Sequence, residues 1–113
     1  MQSLSVDQLR AFVATSAATQ PRALLLDVRE PWEVQLACID LPGVDTLHIP
    51  MNDIPERLHE IDPAQPVVCI CHHGVRSAQV VAFLLQRGHL RVYNLAGGLD
   101  AWSAQVDPAI ARY

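Results

Sequence analysis

Lysine is absent from this 113-residue chain: all eight basic residues are arginine, set against twelve Asp and Glu for a net charge of −4. No run of basic residues offers a nucleic-acid footprint, and the acidic balance argues against anionic membranes and polyanions as partners. An anion site must therefore be local, built from a few arginines and backbone amides. No apolar stretch reaches the roughly eighteen residues of a membrane span. The opening "MQSLSVDQLRAFVA" lacks a charged segment followed by a long apolar one, so no signal peptide is expected. Cysteine is scarce and odd in number, three in all, and its spacing suggests no disulfide framework. A reducing cytoplasm is the expected compartment. Repeats, low-complexity tracts and linkers are lacking too.

What is present is apolar content of 50%, enough for one domain over residues 1–113 with its own core. Ser5 and Gln8 form a capping-box pattern, and Val6, Leu9, Phe12 and Val13 follow at helical spacing. "ALLLDV" (23–28), "TLHIP" (46–50), "PVVCIC" (66–71) and "RVYNL" (91–95) read as strands, the first and third buried on both faces. Between them "EPWEVQLACI" predicts a short helix along Trp32, Gln35, Leu36 and Ile39. "NDIPERLHEI" predicts another, with Ile54, Leu58 and Ile61 as its stripe. "SAQVVAFLLQRG" predicts a third, with Val80, Val81, Leu84 and Leu85 inward and Gly88 as terminator. "GGLDAWSAQV" gives a turn and a last helix. Strands alternating with helices call for an α/β fold: a mainly parallel central sheet of four to five strands with helices on both faces. Chemistry in such sheets lies beyond the C-terminal strand ends, where Asp27, Pro50, Cys71 and Leu95 fall.

The stretch "CICHHGVRSAQVV" (69–81) carries the strongest chemical signal. Between a strand and a helix the loop must reverse within a few residues, and Gly74 allows the angles this needs. In such a semicircle successive N–H groups can converge into an anion-binding nest, backed by the positive end of the next helix. Cys71 opens the semicircle, so negative charge on its sulfur gains several donors. The expected result is a nucleophilic sulfur exposed at a rim.

This loop resembles the active-site loop of rhodanese-type sulfurtransferases, and three further segments agree in order. "LLLDVREPWE" looks like the family's Asp-Val-Arg-Glu strand end, "LHIPMNDIPERL" like its His-Ile-Pro segment, and "VYNLAGGLDAW" like its Gly-Gly-x-x-x-Trp terminus. The resemblance spans about residues 5–105. It implies a single rhodanese-like domain that uses no cofactor. Cys71 would be the nucleophile, attacking the outer sulfur of a small anionic donor such as thiosulfate and holding a persulfide for a thiol, cyanide or protein acceptor. It further implies that the amides of His72, His73, Gly74, Val75 and Arg76 stabilise the anionic persulfide, with Arg76 shaping the loop or holding the donor. His72 stands where many members carry an arginine able to bind a sulfonate, which leaves a thiol persulfide or a protein donor open. "LACIDLPGVDTLHIP" lacks the Gly-His pair common before the second strand.

Four residues separate Cys71 from Arg76, one fewer than in the C-x5-R loop of cysteine phosphatases, and the smaller ring suits a single sulfur better than a phosphate. A non-turnover persulfide relay or regulatory module is the rival class. Cys69 is expected in the core, and Cys38 as a small apolar filler. Cys69, Cys71, His72 and His73 would not point at one centre, so no metal is expected. Ser77 could support the loop. Asp27 and Arg29 form either a structural ion pair or, through Arg29, an attractor of anionic donors near the mouth. Trp32 and Trp102 are expected to be packing residues.

Overall fold

The structure, a computed structural model, describes residues 2–16, 18 and 21–113. Five strands form one sheet: β1 (Gln2–Leu4), β2 (Leu24–Asp27), β3 (Asp45–His48), β4 (Val67–Ile70) and β5 (Val92–Leu95). Their order across the sheet is β1-β5-β4-β2-β3, and every neighbouring pair is parallel. The α-helices are α1 (Val6–Ser16), α2 (Pro31–Leu36), α3 (Ile54–Arg57), α4 (Val75–Gln86) and α5 (Gly98–Gln105). The expected α/β fold with a parallel sheet is what the chain forms.

Side-chain alternation explains why the strands read as unbroken apolar runs. On β2, Leu24 and Leu26 face one core and Leu25 the other. On β4, Val67 and Cys69, with Cys71 just beyond, share the first face, while Val68 and Ile70 take the second. The period of two thus serves two cores. The first core is closed by Ile54 and Ile61 and by Val80, Val81 and Leu84 of α4. The second is closed by Val6, Leu9 and Val13 of α1 and by Leu99 and Trp102 of α5.

Local signals hold at the helix ends. Gln8 N–H donates to Ser5 Oγ at 3.1 Å and Ser5 N–H donates to Gln8 Oε1 at 2.8 Å, a reciprocal capping box. Gly88 ends α4 with the His89 amide on the Leu84 carbonyl and its own amide on that of Leu85.

Several expectations are corrected. β1 has no counterpart among the strands expected from the sequence, because "QSL" at an exposed sheet edge carries no apolar alternation. The helix expected over "NDIPERLHEI" is broken into a 3-10 turn (Met51–Asp53), α3 and a second 3-10 turn (Leu58–Glu60). Leu85, expected inward, is 39% exposed, since the α4 stripe of Ser77, Val80, Val81 and Leu84 turns past it. Leu36 and Trp32 are exposed because α2 stops at Leu36 and presents both outward. Trp102, by contrast, is buried as expected.

The chain leaves β2 for β3 on one side and returns to β4 on the other, so a topological switch lies between β2 and β4. Asp27 is in register with Ile70, and Val28 N–H donates to the Ile70 carbonyl at 3.0 Å. The ends of these two strands therefore lie side by side, with Asp27 and Arg29 at the end of one and Cys71 at the end of the other.

Leu84 has no exposed surface. Replacing it with Ala should cost about 2–5 kcal/mol, whereas Leu85→Ala should cost about 1 kcal/mol or less. Urea unfolding midpoints of the two variants check the assignment of the stripe.

Candidate active site

The loop of residues 71–74 joins β4 to α4. Gly74 has φ of +100°, a left-handed conformation that lets the chain turn into the helix, and its N–H donates to Cys71 Sγ at 3.0 Å. The first-turn amides of Val75, Arg76 and Ser77 have no acceptor among the described residues, as at any helix start without a side-chain cap.

Two corrections concern the cup. Cys71 was expected exposed at a rim; it is 1% exposed, with its sulfur beneath the loop on the face of Cys69. Only the Gly74 amide, of the ring expected from His72 to Arg76, reaches the sulfur at hydrogen-bond distance. The second contact is the Ser77 hydroxyl at 3.2 Å. Ser77 is itself buried, and its Oγ also lies 2.5 Å from Asn94 Oδ1. Asn94 Nδ2 donates to the Gly74 carbonyl at 3.1 Å, which turns Oδ1 toward Ser77. A hydroxyl has one hydrogen. With that hydrogen given to Asn94, the Ser77 oxygen can accept from an S–H; with a thiolate, the same hydroxyl can rotate to donate to sulfur. Either charge state of the sulfur thus finds a partner.

The loop is held from outside by α5. Leu99 N–H donates to the Cys71 carbonyl at 2.9 Å, and Asp100 N–H to the His72 carbonyl at 3.0 Å. In a trans peptide the N–H points opposite to the carbonyl, so the amides of His72 and His73 are turned away from α5. This approach requires Gly98, where a Cβ would lie 2.4 Å from the Cys71 carbonyl oxygen and 2.5 Å from that of His72.

Arg76 sits in the first turn of α4 and binds Glu33 of α2 in a two-pronged ion pair, Nη1–Oε1 at 2.5 Å and Nη2–Oε2 at 2.8 Å. The pair with Arg76 overcomes burial and brings the Glu33 carboxyl down to about 2. Arg76 therefore anchors the loop to α2. Asp27 and Arg29 are the buried ion pair: Nη2–Oδ2 is 2.7 Å, Nε–Oδ1 is 2.9 Å, and Arg29 has no exposed surface with which to draw in anions. Burial opposes the Arg29 charge, but hydrogen bonds from it to Asp27 and Tyr113 outweigh that and raise its pKa. Arg29 also donates to the carbonyls of Glu33 and Ala37.

Tyr113 completes this chain of charges. Its hydroxyl accepts from Arg29 Nη1 at 2.8 Å and donates to Glu33 Oε2 at 2.8 Å. Its ring stacks on His72 at 4.0 Å and 10°, and His72 in turn lies 3.9 Å from the His73 ring. Burial pushes the Tyr113 hydroxyl up to about 12. Burial also lowers the His72 pKa, assisted by the charge of His73, so the imidazole is neutral at neutral pH. His73 is exposed, 3.9 Å from Asp100, which is paired with Arg112. Val75 is 68% exposed at the loop's outer side.

Sequence reasoning missed Glu33, Asn94 and Tyr113. A signal existed for Asn94, a polar residue inside the buried run "VYNL"; Glu33 and Tyr113 offered none, since their partners lie far away in sequence. Of the other cysteines, Cys69 is buried as expected, with its thiol pKa raised by burial. Cys38 is exposed instead of filling the core, and it lines a small cavity with Leu25, Ile39 and Ile70 on the other side of the sheet from Cys71. Among the described residues, no three His, Cys, Asp or Glu side chains converge as a metal set would. No helix there is long and apolar enough to cross a membrane.

Comparison with known proteins fixes the family, since the rhodanese-like domain pattern matches residues 5–105. The chain belongs to the rhodanese-like domain family. It is 42% identical over 88 residues to a protein of Allochromatium vinosum named sulfurtransferase, covering 78% of each chain. It is 36% identical over 69 residues to the thiosulfate sulfurtransferase GlpE of Actinobacillus pleuropneumoniae, covering 61% of this chain and 64% of that one, so the match spans less than two thirds of that relative. A rhodanese-like domain protein of Staphylococcus aureus superposes with a TM-score of 0.75 at 29% identity, over 100% of this chain and 99% of the other.

Two outcomes are expected. Gly98→Ala should destabilise the fold by about 2 kcal/mol or more. Gly88→Ala, whose Cβ would meet nothing within 4 Å, should cost less, and thermal unfolding of both checks this. The folded Glu33 pKa lies below its ordinary 4.5, so its stabilisation is complete above that value and is lost as pH falls toward about 2. The stability gap between wild type and Glu33→Gln, measured by urea unfolding at descending pH, should narrow over this acid range.

Proposed function

We propose that this protein is a sulfurtransferase in which Cys71 takes a sulfane sulfur from thiosulfate or a related persulfide donor and passes it to a thiol, cyanide or protein acceptor. The observation that carries this reading is the surrounding of Cys71 Sγ: the Gly74 amide and the Ser77 hydroxyl contact it. The unpaired amides at the start of α4 lie in the same turn of chain. Such donors are the partners that a sulfur atom needs if it is to carry negative charge during the reaction.

With thiosulfate, the Cys71 thiolate attacks the outer sulfur, the S–S bond breaks, and sulfite leaves with the bonding electrons. Cys71 then holds an anionic persulfide, whose outer sulfur is attacked by the acceptor in a second step that regenerates the thiolate. Neither step needs a redox partner. In this scheme the Gly74 amide holds the inner sulfur and the other amides of residues 72 to 76 are the donors open to the added outer sulfur. Ser77 follows the protonation state of the sulfur, and Arg76 keeps the loop in shape through Glu33. The sulfurtransferase names borne by relatives at 36% and 42% identity agree with this chemistry.

Incubation with a sulfane-sulfur donor should add about 32 Da to the intact mass, one persulfide sulfur. The gain should disappear on adding cyanide and be absent in Cys71→Ser. Loading that survives in Cys71→Ser would refute the assignment.

A further inference from the structure

The segment after α5 lies outside residues 5–105, over which the family pattern matches, yet it supplies a wall of the site. Tyr113 stacks flat on His72, the residue following the nucleophile, and meets Trp32 edge-on with ring centroids 6.0 Å apart. Trp32 is 59% exposed, which leaves a large apolar ring open to contact from outside. Together His72, Tyr113 and Trp32 form a continuous aromatic surface beside the Cys71 loop.

The charges around this surface are already spent on one another. Arg76 is held by Glu33, Arg29 by Asp27, and Arg112 by Asp100. No guanidinium of the site is left to meet an incoming dianion, and these three pairs sum to zero. His72 Nε2 is buried without a hydrogen-bond partner among the described residues. A hydropersulfide, R–S–S–H, can both donate and accept, so it satisfies that nitrogen in either tautomer. A fully ionised thiosulfate can only accept.

We infer that the aromatic wall of His72, Tyr113 and Trp32 selects as sulfur donor a persulfide on an apolar or aromatic organic body over the thiosulfate dianion, with Tyr113 as the specificity-determining residue. The inference rests on the sulfur-transfer reading and narrows its donor. The step balances without an added reactant. The Cys71 thiolate attacks the outer sulfur of R–S–S–H, the bond between the two donor sulfurs breaks, and its electrons leave on R–S. The donor's own proton passes to R–S, giving R–S–H and the anionic persulfide of Cys71.

The test compares kcat/KM for freshly generated benzyl persulfide and for thiosulfate, with cyanide as acceptor. Wild type should favour benzyl persulfide by at least about tenfold. Tyr113→Phe, which keeps the ring and loses the hydroxyl, should retain that ratio. Tyr113→Ala should lower it about tenfold, and His72→Arg should lower it by improving thiosulfate use. A wild-type ratio of one or below overturns the inference, as does an equal loss of ratio in Tyr113→Phe and Tyr113→Ala, which would assign the effect to the hydroxyl network. If neither donor adds sulfur to Cys71, the sulfur-transfer reading itself fails, a result distinct from an inverted preference.

Discussion

The contact on which the site depends is the close seating of α5 on the loop that follows β4. Two amides of the α5 first turn occupy the carbonyls of Cys71 and His72. Those carbonyls would otherwise be free to turn toward the sulfur, where their partial negative charge would oppose any anion. With them held back, the N–H side of the same peptides faces the other way. The missing side chain of Gly98 makes the approach possible. The family's Gly-Gly-x-x-x-Trp terminus thus acquires a physical role at both ends: Gly98 sets the distance to the loop, and Trp102 buries the helix against the sheet.

A second layer of control is electrostatic. Asp27, Arg29, Tyr113, Glu33 and Arg76 alternate donor and acceptor from the end of β2 to the start of α4. Removing one partner from such a buried series strands its neighbour's charge, which costs more than the intact pair contributes. The series therefore acts as a brace: the loop cannot drift from α2 without uncovering Glu33. It also explains why the eight arginines, with no lysine among them, suit this chain. The forked guanidinium makes the two-pronged bonds seen at Asp27, Glu33, Glu60 and Asp100, which a point-like ammonium could not.

What could be read in advance follows from sequence distance. The strands β2 and β4, the capping box of α1, the α4 stripe apart from Leu85, and the place of Cys71 at a strand end before a helix all rest on neighbours a few residues apart, and each was legible. Glu33 meets Arg76 across 43 residues, Asn94 meets Ser77 across 17, and Tyr113 meets Arg29 across 84. No local pattern announces such partners. The errors in exposure have a related cause. Trp32 and Cys38 are residue types usually found inside, but α2 is too short to fold both back, so composition misled where geometry decided. For the Cys71 sulfur the reason is the opposite: a loop at a strand end suggests an open rim, yet side-chain alternation on β4 aims residue 71 inward along with residue 69.

That shared orientation has a chemical consequence. Cys69 and Cys71 lie on one face, two positions apart in extended chain, a spacing that suits disulfide geometry poorly. Cys69 is sealed in hydrocarbon as a neutral thiol, and Cys38 opens on the far side of the sheet. Under the proposed chemistry, no neighbouring thiol within the molecule is placed to strip a sulfur from residue 71 and close on it. The stored atom departs only with a visitor, so the lifetime of the loaded state is set by who arrives.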